Sequence, residues 1–191
     1  MRAFSHYDKE TFHKDDVSAA LTATSTCAES FTEHTEPTMD EKQFTLKLKR
    51  IERYLFQLDF GEFGNILADE PEPMGGGEGP SPSAMLAASV ANCLSASLIY
   101  ALSRKKEDPG EMSAEVTGTT ARVGKFLRIT NVKVALQLGV AKDELSSLAD
   151  ALKVFENYCT VTQSVRAGVE VDVEISDNTG TVIHRSADQT K

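Results

Sequence analysis

Apolar positions recur at two different periods along this chain, and the changes between them mark its elements. From residue 44, Phe44, Leu46 and Leu48 alternate with Thr45, Lys47 and Lys49, the period of a half-buried strand. Tyr54, Phe56, Leu58 and Phe60 alternate again after the polar stretch Arg50-Ile51-Glu52-Arg53, which predicts a hairpin partner or a bent continuation. A short strand over Asn65–Ala68 and a glycine- and proline-rich loop over 69–79 follow. Pro80 and Pro82 suit a helix start, where leading amides lack partners anyway, with Ser81 or Ser83 as the cap. Within that helix Leu86, Val90, Cys93, Ser97 and Ala101 step by four, three, four and four, which is one face.

Beyond Asp108-Pro109-Gly110, residues 113–120 and 127–138 read as strands joined near Val123-Gly124-Lys125. Residues 139–143 turn into a second amphipathic helix over 143–161, where Leu145, Leu148, Leu152, Phe155 and Cys159 step by three, four, three and four. Val169, Val171, Val173 and Ile175 then alternate with Glu170, Asp172 and Glu174 as a last strand. Strands, helix, strands, helix and strand give an α+β order, with a buried helix against an antiparallel sheet. The domain spans 41–184. Residues 1–40 form an extension with weak periodicity, in which Asp15-Asp16 could cap a short helix through Val17, Ala20 and Leu21, and 185–191 form a tail.

Residues 83–103 carry no charge and precede Arg104-Lys105-Lys106, a pattern that invites a transmembrane reading. Five serines, six alanines, Asn92 and Cys93 in that run argue instead for a central helix buried by protein on nearly all sides. Membrane association is therefore not expected. The whole chain, 191 residues with 40% hydrophobic content, is enough for one domain with a real core. Its net charge of −9 and its lack of a clustered basic surface exclude ordinary nucleic-acid binding.

Candidate chemistry rests on thiols. Three cysteines without a dense framework fit a reducing compartment, and the basic, polar start lacks the apolar run of a signal peptide, so a cytoplasmic location is expected. Cys27 reads as incidental, and His6, His13, His34 and His184 show no metal-ligand spacing with the cysteines. Gly75-Gly76-Gly77 lacks the Lys-Ser/Thr sequel of a phosphate loop. Cys93 and Cys159 each lie on the inward stripe of a predicted helix. Wheel position alone favours buried, structural thiols, because free cysteine packs as a small hydrophobe.

The surrounding residues change that balance. The stretch DEPEPMGGGEGPSPSAMLAASVANCL from Asp69, with YCTVTQSVRAGVEVDVEI from Tyr158, resembles the OsmC/Ohr family of osmotically inducible and organic hydroperoxide resistance proteins over roughly residues 44 to 175. The most specific features are Gly-Pro-x-Pro at the helix start with a cysteine eleven residues after the second proline, and the later Tyr-Cys-x-Val before a hydrophobic strand. This resemblance implies an intertwined homodimer in which the cysteine-bearing helices are central, with active sites near the subunit interface. It also implies a thiol peroxidase cycle. Cys93 would reduce an organic hydroperoxide and become a sulfenic acid, Cys159 would condense with it to a disulfide, and an external dithiol, rather than a bound cofactor, would reset the pair.

Such chemistry needs a cation to hold a thiolate, because an ordinary thiol with pKa of about 8.5 is mostly protonated at neutral pH. Arg50 and Arg53 are the candidates, where hydroperoxidases of the family carry an arginine, and Arg50 is in phase with Phe44, Leu46 and Leu48. The chain departs from the hydroperoxide-resistance branch at Ser81-Pro82-Ser83, where that branch has Asn-Pro-Glu. Ser83 cannot hold an arginine through a bidentate pair, which leaves Glu78 or Glu70 as possible substitutes. The alternatives are an OsmC-like dimer that binds a small apolar or thiol ligand without turnover, and a structural dimer whose cysteines only pack.

Overall fold

The computed structural model describes residues 42–186. The short helix expected near residue 15, Cys27, His6, His13, His34 and most of the tail lie outside the described residues. Two sheets and a group of helices make up the domain. The first sheet has the order β1-β2-β3, from β1 (Lys47–Glu52), β2 (Leu55–Asp59) and β3 (Asn65–Ala68), all antiparallel. The second has the order β4-β5-β6-β7, from β4 (Ser113–Val123), β5 (Phe126–Gln137), β6 (Glu170–Ser176) and β7 (Val182–Arg185). In it β4/β5 and β6/β7 are antiparallel and β5/β6 is parallel.

The helix α1 (Pro82–Ser103) connects the two sheets along the chain. Ser81 caps it, its Oγ accepting the Ala84 amide at 3.2 Å, and Pro82 occupies the first turn, as the sequence pattern requires. The loop before it is held from within. Asp69, almost fully buried, accepts the amides of Glu70, Gly76 and Glu78 at 2.9, 2.8 and 3.3 Å. A Cβ on Gly79 would collide with the Leu67 carbonyl, so glycine lets the loop run directly against β3.

The core lies where α1 meets the second sheet and the segment that follows it. Val132, Val134 and Leu136 of β5 stand opposite Val171, Val173 and Ile175 of β6 in the parallel register, so two apolar rows share one face. Ala87, Ala91, Leu94, Leu98 and Leu102 of α1 join the same core, along with Leu148, Leu152 and Phe155. At the other end of α1, the Glu107 carboxylate accepts the Ser146 hydroxyl and the Ser147 amide and hydroxyl, tying the chain after α1 to the start of α2 (Leu148–Val154).

Several expectations change. β1 is exposed along its whole length rather than half-buried, because among the described residues no other layer lies across it. Phe44 and Leu48 are 89% and 61% exposed. α1 is long and apolar enough to cross a membrane, yet among the described residues protein covers one side of it. Ala88, Asn92, Ala96, Ile99 and Tyr100 remain exposed among the described residues. The expected helix over 143–161 is broken into α2, a 3-10 turn (Phe155–Tyr158) and α3 (Thr160–Val165). Phe155, Asn157, Tyr158 and Cys159 are weaker helix formers than the leucines and alanines of α2, which favours the break. β7 was missed because Val182-Ile183-His184-Arg185 has little apolar alternation.

Leu94 is fully buried at the centre of the α1 stripe, whereas Cys93 lies on its flank and is partly exposed. Leu94→Ala is therefore expected to cost about 3 kcal/mol in urea unfolding and Cys93→Ala less than about 1 kcal/mol. Equal costs would mean that the stripe is not centred on Leu94.

Candidate functional site

The fold brings Cys93 and Cys159 together. Cys93 projects from the flank of α1, one position beyond the centre of its buried stripe. Cys159 is not within a helix. It is the extended residue at φ −82° and ψ 93° between the 3-10 turn and α3. A step of four from Phe155 nevertheless brings it into the core, where both Phe155 and Cys159 are fully buried. Stripe continuity across residues 145–159 was thus legible in the sequence, while helix continuity was not.

The break satisfies its own backbone. The Cys159 amide donates to the Glu156 carbonyl at 3.1 Å, and the Cys159 carbonyl accepts the Gln163 amide at 3.0 Å. The Cys159 thiol donates to Thr162 Oγ1 at 3.0 Å, and the Thr162 side chain is itself fully buried. Burial pushes the Cys159 pKa up from its ordinary value, and the neighbouring Cys93 thiol raises it further. The Thr162 hydroxyl and amide act against both by favouring the thiolate. Thr162 was missed in the sequence, although a hydroxyl three residues after a helix-start cysteine is the available signal.

A second group of side chains holds the chain on either side of Cys159. The Glu156 carboxylate pairs with Arg166, which caps α3, and with His184 of β7, whose Nε2 lies 3.2 Å away. Its pKa is lowered: burial acts upward, but the hydrogen bonds from His184 and Arg166 and their charges outweigh it. The ring of His184 meets Phe155 edge-on at 5.4 Å. Tyr100 of α1 and Tyr158 of the 3-10 turn also pack edge to face, with centroids 5.0 Å apart.

Arg50 and Arg53 sit at the β1–β2 turn. Arg50 Nε donates to the Arg53 carbonyl at 2.9 Å, and an Arg53 guanidinium nitrogen donates to the Pro73 carbonyl at 3.5 Å. The inward phase expected for Arg50 does not arise, because β1 has no buried face in this chain. Ser83 is exposed, Glu78 is exposed and Glu70 is partly buried. Glu70 borders an apolar cavity of about 340 Å³ between the first sheet and the start of α1, with Leu48, Phe56, Leu58 and Met85 among its walls. Among the described residues no cluster of His, Cys, Asp and Glu has the makings of a metal site.

The OsmC-like protein family matches residues 75–174, a span that includes both thiols, Glu156, Thr162 and Arg166 but not His184, Arg50 or Arg53. No curated protein sequence matches the chain. Solved structures share its fold. The OsmC-like protein of Mycoplasma pneumoniae is 13% identical, with a TM-score of 0.59 over 72% of this chain and 98% of that one. An organic hydroperoxide resistance protein of Elizabethkingia anophelis is 15% identical, with a TM-score of 0.57 over 72% of this chain and 99% of that one. The organic hydroperoxide resistance protein OhrB of Bacillus subtilis is 18% identical, with a TM-score of 0.55 over 70% and 98%.

Opposed influences on one thiol are separable. In a Cys27→Ser background, ultraviolet titration of thiolate absorbance should place the Cys159 midpoint lower in Cys93→Ser and higher in Thr162→Val. Shifts in the same direction would contradict the contacts described.

Proposed function

The chain belongs to the OsmC-like protein family, and on that premise we propose that it is a cysteine-dependent peroxidase acting on organic hydroperoxides. The observation that carries this reading is the asymmetry of two neighbouring thiols: Cys93 is partly exposed and Cys159 is sealed. A peroxide can reach the first and not the second. The Cys93 thiolate attacks the peroxide oxygen, the O–O bond breaks, and protonation releases the alcohol, leaving a Cys93 sulfenic acid. Cys159 sulfur then attacks Cys93 sulfur. The S–O bond breaks, and the Cys159 proton leaves with the hydroxide as water, giving the disulfide. An external dithiol supplies two electrons to restore both thiols. Cys93 is the peroxidatic residue, Cys159 the resolving one, and Arg50 or Arg53 the cation beside the reacting thiolate.

The reading includes a homodimer. β1–β3 and the outward side of α1 leave Leu48, Ile51, Tyr54, Ile99 and Tyr100 exposed, each between 45% and 61%. Apolar surface of this extent is typical of an interface. Sedimentation of the full chain should give twice the monomer mass, and Leu48→Asp with Ile51→Asp should shift it toward monomer. A wild-type monomer at micromolar concentration would refute the dimer.

A second reading, ligand binding without turnover, draws on Ser83 at the position of the family glutamate and on the apolar cavity. Mass spectrometry after one equivalent of cumene hydroperoxide separates the two. Wild-type protein should lose the two thiol hydrogens, Cys159→Ser should stop at a sulfenic acid, and Cys93→Ser should stay reduced at residue 159. Whichever of Arg50→Gln and Arg53→Gln removes the cation should slow Cys93 oxidation about a hundredfold. Folded protein in which neither thiol oxidises leaves ligand binding as the function.

A further inference from the structure

The resolving thiol in this chain lies on a break, and the break is where the polypeptide is least constrained by its own secondary structure. α2 ends at Val154, the 3-10 turn covers Phe155–Tyr158, and α3 has six residues. Helices this short have little stability of their own. Something outside them must fix where the Cys159 sulfur stands.

Glu156 makes those connections from both its backbone and its side chain. Its carbonyl accepts the Cys159 amide at 3.1 Å and Gln163 Nε2 at 3.0 Å. Its carboxylate pairs with Arg166 at the end of α3 and with His184 on β7. Arg166 reaches on to the Val171 carbonyl of β6 at 3.4 Å. One residue therefore joins the turn before Cys159, the helix after it and two strands of the sheet. These side chains are also withdrawn from water: Glu156 is 14% exposed and His184 6%. At such burial an ion pair has directional and energetic weight that an exposed pair lacks.

We infer that Glu156, held by Arg166 and His184, is a positioning residue for Cys159, fixing the break so that its sulfur lies against Cys93 for the disulfide-forming step. This rests on the reading of Cys159 as the resolving thiol. Glu156 touches neither sulfur through its side chain, and its effect falls on the second half-reaction alone. Cys93 stands on α1, whose buried stripe also packs on β4 and β5 and not only on the 3-10 turn, and so meets peroxide as before. Disulfide formation demands a narrow sulfur geometry, and a displacement of about 1 Å can slow a positioned reaction by as much as a hundredfold.

The test follows the two steps separately in a single turnover of the full chain with cumene hydroperoxide, trapping sulfenic acid with dimedone and disulfide by acid quench. Glu156→Gln should slow disulfide formation about tenfold or more and leave Cys93 sulfenic acid formation within about twofold. With a second equivalent of peroxide, the waiting Cys93 should go on to sulfinic acid. Arg166→Gln and His184→Gln should slow the same step, and Arg166→Lys, which keeps the cation, should return it toward wild type. These variants carry the test if Glu156→Gln fails to fold. Wild-type disulfide rates in the folded variants, or equal slowing of both steps, overturn the inference while the peroxidase reading stands. A wild-type protein that never forms the disulfide overturns both.

Discussion

A thiol sealed in an apolar core resists ionisation, and a thiol open to water can be reached by anything dissolved in it; the proposed peroxidase chemistry needs one of each, side by side. The packing of α1 meets that requirement. Ala87, Ala91, Leu94, Leu98 and Leu102 fix the rotation of the helix against the apolar rows of β5 and β6. Once that rotation is set, Cys93 falls on the flank and cannot be drawn inward without expelling Leu94. On the other side Phe155 anchors the 3-10 turn in the same core and carries Cys159 with it. The pairing thus depends on two apolar anchors, each a residue or less from its cysteine on the helix face or one turn away, rather than on attraction between the sulfurs.

Much of this was readable as periodicity. The strands over β3, β4, β5 and β6, the helix start at Ser81-Pro82 and the apolar stripe through Cys159 all follow from residue spacing. What spacing could not supply was the break. A stripe of threes and fours reports which residues face the core, and a 3-10 turn followed by an extended residue can keep that sense without a continuous helix. Glu156 and His184 were unreadable for a different reason: they meet only because β7 folds back beside β6, and that pairing has almost no apolar signal. Thr162 lay within reach of local reasoning, three residues from Cys159. For β1 the period was correct and the inference of burial was not, because alternation shows that one face wants cover, not that this chain provides it.

The exposed first sheet and the missing carboxylate bear on the same question. Arg50 lies on β1 of that sheet and Arg53 in the turn after it, their guanidinium groups turned to backbone carbonyls of Arg53 and Pro73. Backbone carbonyls orient a guanidinium less firmly than a glutamate does, since they offer no bidentate, fully charged partner. Ser83 cannot substitute, and Asp69, the most buried carboxylate of the loop, is already used by three amides. Either arginine is therefore comparatively free to adapt when β1 is covered. If either arginine serves the proposed thiolate, its order would come from the surface that covers β1, where a glutamate-bearing site would carry that order within the chain.

Thr162 and Glu156 divide the work at the second thiol along physical lines. Thr162 acts on charge: its hydroxyl and amide offset part of the penalty that burial and Cys93 impose on the Cys159 thiolate. Glu156 acts on place, through a carboxylate that never reaches the sulfur. The separation has a consequence for motion. A disulfide brings the two sulfurs to bonding distance, so the backbone of at least one partner has to yield. α1 is committed along its buried stripe, and a shift there would disturb the whole core. The segment after Val154 consists of one 3-10 turn, one extended residue and a short helix, joined to the sheet by side chains. Its φ and ψ can change at Cys159 without breaking a long run of helical hydrogen bonds, while the Glu156 pairs limit how far it moves. Placing the proposed resolving cysteine at a clamped break would thus reconcile a rigid core with a reaction that must shorten the distance between two of its atoms.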